Sequence, residues 1–192
     1  MTKRGAPLAG VVLAGGRSVR MGRDKARLRI RGVELWRRQL RVLEQAGARP
    51  LVLALRPRQR SYGWRGGEIR DASEGAGPIG ALAAALSFSS SPWVAVLAVD
   101  LPHMDAAWFR RLRRKCRPGV GAVARGPDGF EPLAAIYPSN AGHLCLENLE
   151  KGRFSLQILL GALVRRRLMV VQPLRASDRD RLTNWNTPKD LG

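Results

Sequence analysis

The sequence predicts an α/β fold in which helices cover both faces of a mostly parallel sheet, giving three layers. Three observations support this prediction. Short apolar runs alternate with segments of helical periodicity along the whole chain. The connections between them are only a few residues long, as in successive strand and helix units. The apolar runs lack an alternating polar face, which is typical of strands covered by helices on both sides.

In the first half of the chain, the sequence predicts four strands and three helices. Leu8 to Leu13 is a compact apolar run that ends at paired glycines, as a buried strand does. Val33 to Ala46 has apolar residues at helical spacing, and Gly47 follows as a stop. Trp93 to Val99 is a strand of seven apolar residues that ends at Asp100. The other elements predicted here are strands over 50–55 and 68–71 and helices over 79–86 and 105–115.

The second half predicts a more mixed pattern of shorter elements. Strands are expected over 121–124, 131–137 and 168–172, with helices over 141–150 and 155–164. The sequence contains no internal repeat and no low-complexity linker. Because 192 residues suffice for one well-filled core, we expect a single domain spanning residues 1–192.

The formal net charge of +19 predicts a polyanionic partner: nucleic acid, an anionic membrane or phosphate-bearing small molecules. The basic residues are spread along the chain instead of being massed in one tail, which argues against a dedicated nucleic-acid arm. Only five of the 34 basic residues are lysines, a bias that codon usage also produces. A solvated surface with an inherited excess of arginine therefore stays open as an interpretation.

Cysteine usage and apolar run length predict a cytoplasmic protein that is not inserted in a membrane. No apolar run approaches the roughly 18 residues of a membrane span. Cys116 and Cys145 have neither metal-ligand spacing nor a CxxC partner, so two reduced, partly buried thiols are expected.

The segment LAGGRSVRMGRDK, residues 13–25, places two glycines before a cluster of basic side chains. Gly15 and Gly16 would allow a sharp turn with positive φ and a close approach of backbone amides to an anion such as phosphate. The spacing matches neither a dinucleotide-binding GxGxxG loop nor a GxxxxGK[ST] loop. An ordinary strand-to-loop turn with solvated arginines is the alternative.

Asp100 and the glycine turn each follow a strand predicted to be buried. In open α/β sheets, ligands bind at the carboxyl ends of the strands. We therefore expect Lys25 and Asp100 to be neighbours in space although 75 positions separate them in the sequence.

The string LAGGRSVRMGRDKARL resembles the signature of the MobA-like nucleotidyltransferases, LAGGxSxRMGxDK followed by a short strand. Further segments resemble that family in the same order along nearly the full chain. They are DASEGAGPIGALAAAL at 71–86, VLAVDLP at 96–102, EPLAAIY at 131–137, GRFSLQILL at 152–160 and NWNTPKDL at 184–191.

The resemblance implies a Rossmann-like nucleotidyltransferase fold and a specific reaction. The expected activity is transfer of GMP from GTP to the terminal phosphate of molybdopterin, with Mg²⁺ as cofactor and pyrophosphate as leaving group. The spellings LAGG and NWNTPKDL favour the guanylyl over the cytidylyl branch. GTP and molybdopterin are thus the expected small-molecule partners, with transient contacts to molybdenum cofactor biosynthesis proteins or molybdoenzymes, and without nucleic acid or membrane.

The resemblance also assigns site residues. Lys25, Asp100 and Arg20 would be catalytic, and Asp100 would hold the Mg²⁺, although a capping aspartate for the helix near Asp105 is the alternative. The nucleotide would be bound by Leu13, Ala14, Gly15, Gly16, Lys25, Asp71, Gly77 and Asp100. Asn184 and Asn186 are candidates for the acceptor site, or equally for locking the C-terminal segment onto the sheet. For Asp71 a turn aspartate is the alternative.

Two departures from the family pattern leave alternatives open. Where the family usually has an asparagine after its second strand, this chain has Leu55, Arg56 and Pro57, so base recognition is in question. Lys189 replaces a glutamate in the closing motif. The alternative functions are a nucleotidyltransferase of the same superfamily with another base or acceptor, such as a sugar or polyol phosphate, and a non-catalytic basic module that binds RNA.

Overall fold

The computed structural model of the protein describes residues 7–15, 24–70 and 75–185. The strands, in chain order, are β1 (Leu8–Leu13), β2 (Arg29–Ile30), β3 (Val33–Glu34), β4 (Leu51–Leu55), β5 (Glu68–Arg70), β6 (Trp93–Ala98), β7 (Gly121–Gly126), β8 (Gly129–Phe130), β9 (Ala134–Pro138) and β10 (Met169–Pro173). The helices are α1 (Leu35–Gln45), α2 (Pro78–Phe88), α3 (Ala106–Arg113), α4 (Gly142–Glu150) and α5 (Leu156–Arg165). The predicted elements are confirmed to within a few residues at their ends.

The central sheet has the strand order β10-β7-β9-β6-β1-β4-β5, with β8 paired to β7. Strand β9 is antiparallel to both of its neighbours, whereas the other strands on this path run in one direction. The predicted mostly parallel sheet is thus confirmed. The reversal at β9 follows from the short connection after β7, because parallel neighbours need a crossover of about a dozen residues or more.

Helices cover both faces of the sheet, as the apolar strands require. Helices α1 and α3 pack on one face, where Trp36, Leu43, Trp108 and Phe109 are fully buried. Helices α2, α4 and α5 pack on the other face. Burial on both faces explains why the central strands carry no alternating polar pattern.

A two-residue turn precedes α1 and shortens the predicted helix. Arg31 and Gly32 adopt positive φ values of 49° and 78° and join β2 to β3, so α1 begins at Leu35 instead of Val33. The predicted stop at Gly47 is confirmed, since this residue has a φ of 88° directly after the helix. Within the described ranges, no helix combines the length and apolar character needed to cross a bilayer.

Candidate active site

Three adjacent strands, β6, β1 and β4, end at the same edge of the sheet. Leu13 is in register with Ala98 on one side and with Ala54 on the other. Two further hydrogen bonds extend the pairing: Val99 N–H donates to the Leu13 carbonyl (3.1 Å), and Ala14 N–H donates to the Ala54 carbonyl (2.9 Å). The segments that follow these strands therefore lie together at this edge of the sheet. We call the space between them the crevice, with a β6 side and a β4 side.

The β6 side brings together the two residues expected to be neighbours. Lys25 Nζ lies 4.0 Å from Asp100 Oδ2, and both side chains are partly buried. Lys25 begins a 3-10 turn that ends at Arg27, and the Asp24 carboxylate caps this turn by accepting from Ala26 N–H (3.0 Å). The predicted proximity of Lys25 and Asp100 is confirmed.

The electrostatics of the β6 side favour a further cation at Asp100. Burial raises the pKa of the Asp100 carboxyl, and the Lys25 charge lowers it, but burial dominates and the pKa stays above its ordinary value. The Lys25 charge therefore offsets only part of the effect of burial on the Asp100 carboxyl. A bound divalent cation would favour the ionised carboxylate in the same direction as Lys25.

Helix α1 holds the segment that follows Asp100. The Gln39 side chain is fully buried and its Nε2 donates to the Leu101 carbonyl at 2.6 Å. The neighbouring Arg38 Nε donates to the Pro102 carbonyl at 2.9 Å. Two side chains of one helix thus fix the backbone next to the candidate metal ligand.

A third hydrogen bond to the backbone at or after Asp100 comes from residues 174–185, which we call the C-terminal strap. Trp185 N–H donates to the Asp100 carbonyl at 3.0 Å, so the strap ends at the candidate site. Asn184 lies beside this contact and is exposed. The Trp185 ring also meets the His103 ring edge to face, with centroids 6.1 Å apart.

A buried charge cluster fastens the strap to α3. Asp178 is fully buried and lies 2.8 Å from Arg111 Nη2 and 3.3 Å from Arg181 Nη1. Arg181 also lies 2.8 Å from Asp105, which caps α3 by accepting from Trp108 N–H (2.9 Å). Burial acts to raise the pKa of Asp105, but the bonds from Arg181 and Trp108 outweigh it and lower the pKa. Asp105, and not Asp100, is therefore the cap of this helix.

The β4 side has a different composition. Here a cleft of about 610 Å³ is lined by Asp24, Arg27, Arg56 and residues 58–61. Gln59 Nε2 donates to the Ala14 carbonyl (3.0 Å) and to Tyr62 Oη (2.6 Å), which ties the loop after β4 to the glycine turn.

Tyr62 links the loop after β4 to Asp24. Its hydroxyl donates to Asp24 Oδ2 at 2.6 Å, and burial, followed by the Asp24 carboxylate, raises its pKa well above the ordinary value. The phenol thus stays a protonated donor. Asp24 and Lys25, adjacent in sequence, therefore reach opposite sides of the crevice.

The glycine turn differs from the prediction in two ways. Gly15 does not have a positive φ; instead, a Cβ at this position would lie 3.2 Å from both the Cγ and the backbone N of Arg56. Close packing against the loop after β4, not backbone handedness, is what favours glycine here. The Ala14 N–H already donates to Ala54, so it is not available to a ligand. The amides expected to hold phosphate are thus reduced to those of Gly15 and the residues beyond it.

Of the other predicted site residues, Leu13 and Gly77 belong to the described residues, and four do not. Leu13 is buried at the end of β1. Gly77 has a φ of 64° and precedes Pro78 at the start of α2, where a residue with a Cβ would be strained. Gly16, Arg20, Asp71 and Asn186 fall outside the described residues.

The donor set fits a Mg²⁺ ion held largely by substrate. Within the described ranges, no cluster of three or more acidic, histidine or cysteine side chains could hold a metal by itself. Mg²⁺ characteristically takes one or two carboxylates plus phosphate oxygens and water. The partly buried Asp100 carboxylate could supply one such ligand.

Sequence reasoning missed Gln39, Gln59, Tyr62 and Arg181. Of these four residues, only Gln39 could have been identified from the sequence, because it is a polar residue on the otherwise apolar, buried face of α1. The contacts of the others depend on loop geometry that no periodic pattern encodes.

A crevice at the carboxyl edge of a mostly parallel sheet is where α/β proteins of the doubly wound class bind nucleotides. The model of one such family, the MobA-like NTP transferase domain, matches residues 10–166. The chain belongs to this family.

Full-length relatives carry more specific names. The chain is 51% identical over 193 residues to a protein of Opitutus terrae named probable molybdenum cofactor guanylyltransferase, covering 99% of this chain and 96% of the relative. It is 31% identical to a molybdenum cofactor guanylyltransferase of Xanthomonas euvesicatoria, with coverage of 95% and 92%. Among solved structures, the molybdopterin-guanine dinucleotide biosynthesis protein A of Archaeoglobus fulgidus has a similar fold, with a TM-score of 0.75, 24% identity and coverage of 95% and 94%.

Proposed function

We propose that the protein transfers GMP from GTP to the terminal phosphate of molybdopterin, forming the guanine dinucleotide form of the molybdenum cofactor. An acceptor phosphate oxygen attacks the α-phosphorus of GTP. The bond from that phosphorus to the bridging oxygen breaks, and pyrophosphate leaves. The observation that carries the proposal is the approach of Lys25 to Asp100 beside the glycine turn, in a chain of this family.

Two anions must meet in this reaction, so the protein acts chiefly by positioning and charge neutralisation. Asp100 would hold Mg²⁺, which when bound supplies positive charge to the phosphate oxygens. Lys25 would neutralise charge on the triphosphate as pyrophosphate forms, a role that Arg20 is expected to share. The Gly15 amide would contact the nucleotide, with Gly16, Asp71 and Gly77 as further expected contacts.

The C-terminal strap supports an acceptor site at the β6 side. Its last described residues carry Asn184 to within one residue of the hydrogen bond between Trp185 and Asp100. An acceptor bound by Asn184 and Asn186 would therefore lie close to the candidate metal ligand. We assign the activity to a single domain, residues 1–192, that works in the cytoplasm.

One observation favours a second candidate function. The chain has Leu55, Arg56 and Pro57 where the family usually has an asparagine, and Arg56 packs against Gly15. The second candidate is therefore nucleotidyl transfer with another base, or to another phosphate ester such as that of a sugar or polyol.

A nucleotide panel tests both candidates. The purified protein is incubated with Mg²⁺, molybdopterin and GTP, CTP, UTP or ATP in turn, and pyrophosphate release is measured, with acceptor-free and EDTA-treated reactions as controls. We expect release with GTP that depends on both acceptor and metal. Preferential release with another nucleotide would select the second candidate. Salt-sensitive RNA binding without turnover of any nucleotide would reject both.

A further inference from the structure

The loop after β4 carries a charge pattern that the proposed reaction does not yet use. Residues 56–60, which we call the arginine loop, read RPRQR. Arg56, Arg58 and Arg60 line the cleft on the β4 side, together with Arg27 from the 3-10 turn. Asp24 is the one carboxylate in the described lining.

The Arg70 side chain holds the backbone of the arginine loop in place. Arg70 Nη1 lies within hydrogen-bonding distance of three of its carbonyl oxygens: those of Arg56 (3.0 Å), Pro57 (3.1 Å) and Gln59 (2.8 Å). Within the loop, Arg56 N–H donates to Gln59 Oε1 at 3.1 Å. Because Gln59 also bonds to Ala14, the loop is fixed relative to the glycine turn. Its backbone is thus organised before any ligand arrives.

Carboxylates of the described residues do not balance the charges on this loop. In the described part of the chain, Arg56, Arg58 and Arg60 form no ion pair with a carboxylate. The Asp24 carboxylate is already shared between Tyr62, at 2.6 Å, and Arg27, at 4.0 Å. Like charges held close together repel one another, and a bound anion relieves that repulsion. Guanidinium groups in particular pair with phosphate in a bidentate manner.

This arrangement differs from a general excess of surface arginine. A solvated arginine needs neither a fixed backbone nor a neighbouring cleft. Here the side chains flank a cleft of about 610 Å³, within the range of small-molecule sites. The cleft also adjoins the 3-10 turn from which Lys25 reaches Asp100.

We propose that the arginine loop and Arg27 form a phosphate-binding subsite for a substrate of the reaction. The inference rests on the proposed function for the identity of that substrate. The chemistry it recognises is a phosphate group, which either the triphosphate of the nucleotide or the phosphate of the acceptor supplies. In both cases the subsite would bind the phosphate of a polyanionic substrate beside Lys25 and Asp100.

The test compares two double variants that each remove two arginines. R58A/R60A removes charge from the arginine loop. R114A/R117A removes the same charge from two exposed arginines next to the amino end of β7, at the opposite edge of the sheet. Binding of inorganic pyrophosphate with Mg²⁺ is measured by calorimetry at low and moderate salt, and melting temperatures verify folding.

We expect R58A/R60A to weaken pyrophosphate binding about tenfold or more relative to R114A/R117A, with a smaller dependence on salt. Affinities that agree within twofold would overturn the subsite and favour solvated arginines. Because this measurement needs no turnover, it is independent of whether GTP and molybdopterin are the substrates.

Steady-state kinetics then identify the source of the phosphate. A rise in the KM for GTP in R58A/R60A assigns the subsite to the nucleotide, whereas a rise confined to the KM for molybdopterin assigns it to the acceptor. R70M tests the organisation of the loop: it keeps every cleft arginine and should weaken pyrophosphate binding severalfold. Unchanged binding in R70M would overturn the role of a pre-organised loop.

Discussion

The two sides of the crevice differ in the number and sign of their charged side chains. The β6 side holds one carboxylate against one ammonium, and three hydrogen bonds, two from α1 and one from the C-terminal strap, fix the backbone at and after Asp100. The β4 side holds several guanidinium groups with one carboxylate, fixed chiefly by Arg70. The charges of the β6 side suit binding of a metal ion, whereas the charges of the β4 side suit binding of an anion. Under the proposed function and the proposed phosphate subsite, catalysis and substrate binding would lie on opposite sides of β1.

The largest effect is expected for the substitution Asp100→Asn. Loss of the candidate metal ligand should reduce pyrophosphate release by about a thousandfold, comparable to the loss of a preorganised catalytic group. Burial raises the pKa of Asp100 above its unfolded value, so at neutral pH the ionised carboxylate destabilises the folded state. The neutral amide should therefore leave the melting temperature unchanged or higher. Turnover and thermal melts are measured on the same preparation.

A matched control is Asp128→Asn, which removes an exposed aspartate from the turn between β7 and β8. It should retain wild-type turnover. Activity of the Asp100→Asn variant within threefold of this control would remove Asp100 from the reaction and leave the β6 side without a metal site.

A smaller effect, with a pH signature, is expected for Lys25→Met. The loss of positive charge should lower the plateau rate about a hundredfold. Since Lys25 lowers the pKa of Asp100 against the effect of burial, its removal should raise that pKa further. The active form is the deprotonated carboxylate, so the rate falls as the pH drops through the folded pKa. The acid limb of the pH–rate profile should therefore move to higher pH.

Lys25→Arg is the companion variant, because it keeps the charge. Its acid limb should stay close to that of the wild type even if its rate is reduced. Coincident acid limbs for Lys25→Met and the wild type would show that the contact with Asp100 has no electrostatic consequence, and the comparison of the two sides would lose its basis.

The arrangement of the β6 side could be predicted from the sequence because it depends on local sequence patterns. Apolar runs that stop at a glycine pair and at Asp100 mark two buried strands, and the carboxyl ends of parallel strands share one edge. The proximity of Lys25 to Asp100 follows from these two facts. The direction of β9 did not follow, since periodicity identifies a strand but not its orientation.

For the β4 side, the sequence offered only one indication, the departure from the family pattern over residues 55–57. The bonds from Gln59 to Ala14, from Tyr62 to Asp24 and from Arg70 to the arginine loop join residues far apart along the chain. They depend on how an irregular loop closes, which neither hydrophobic spacing nor turn propensity specifies. The same holds for the buried charge cluster of the C-terminal strap.

The smallest effect is expected for Arg181→Met, which loosens the strap without touching the crevice. Asp178 keeps its ion pair with Arg111, so the loss of stability should be limited to about 1–2 kcal/mol. Weaker attachment of the strap should disturb the bond from Trp185 to Asp100 and lower kcat about three- to tenfold. Pyrophosphate affinity at the arginine loop should be unchanged, because the strap contacts the β6 side.

Two further variants separate positioning from general stability. Arg181→Lys retains a cation near Asp105 and should restore part of kcat, while Arg179→Met removes an exposed arginine of the same strap and should have no effect. If Arg181→Met lowers the melting temperature but leaves kcat intact well below it, the strap only stabilises the fold. If instead both kcat and pyrophosphate affinity fall together, the two sides of the crevice are mechanically coupled, and their separation across β1 is not functional.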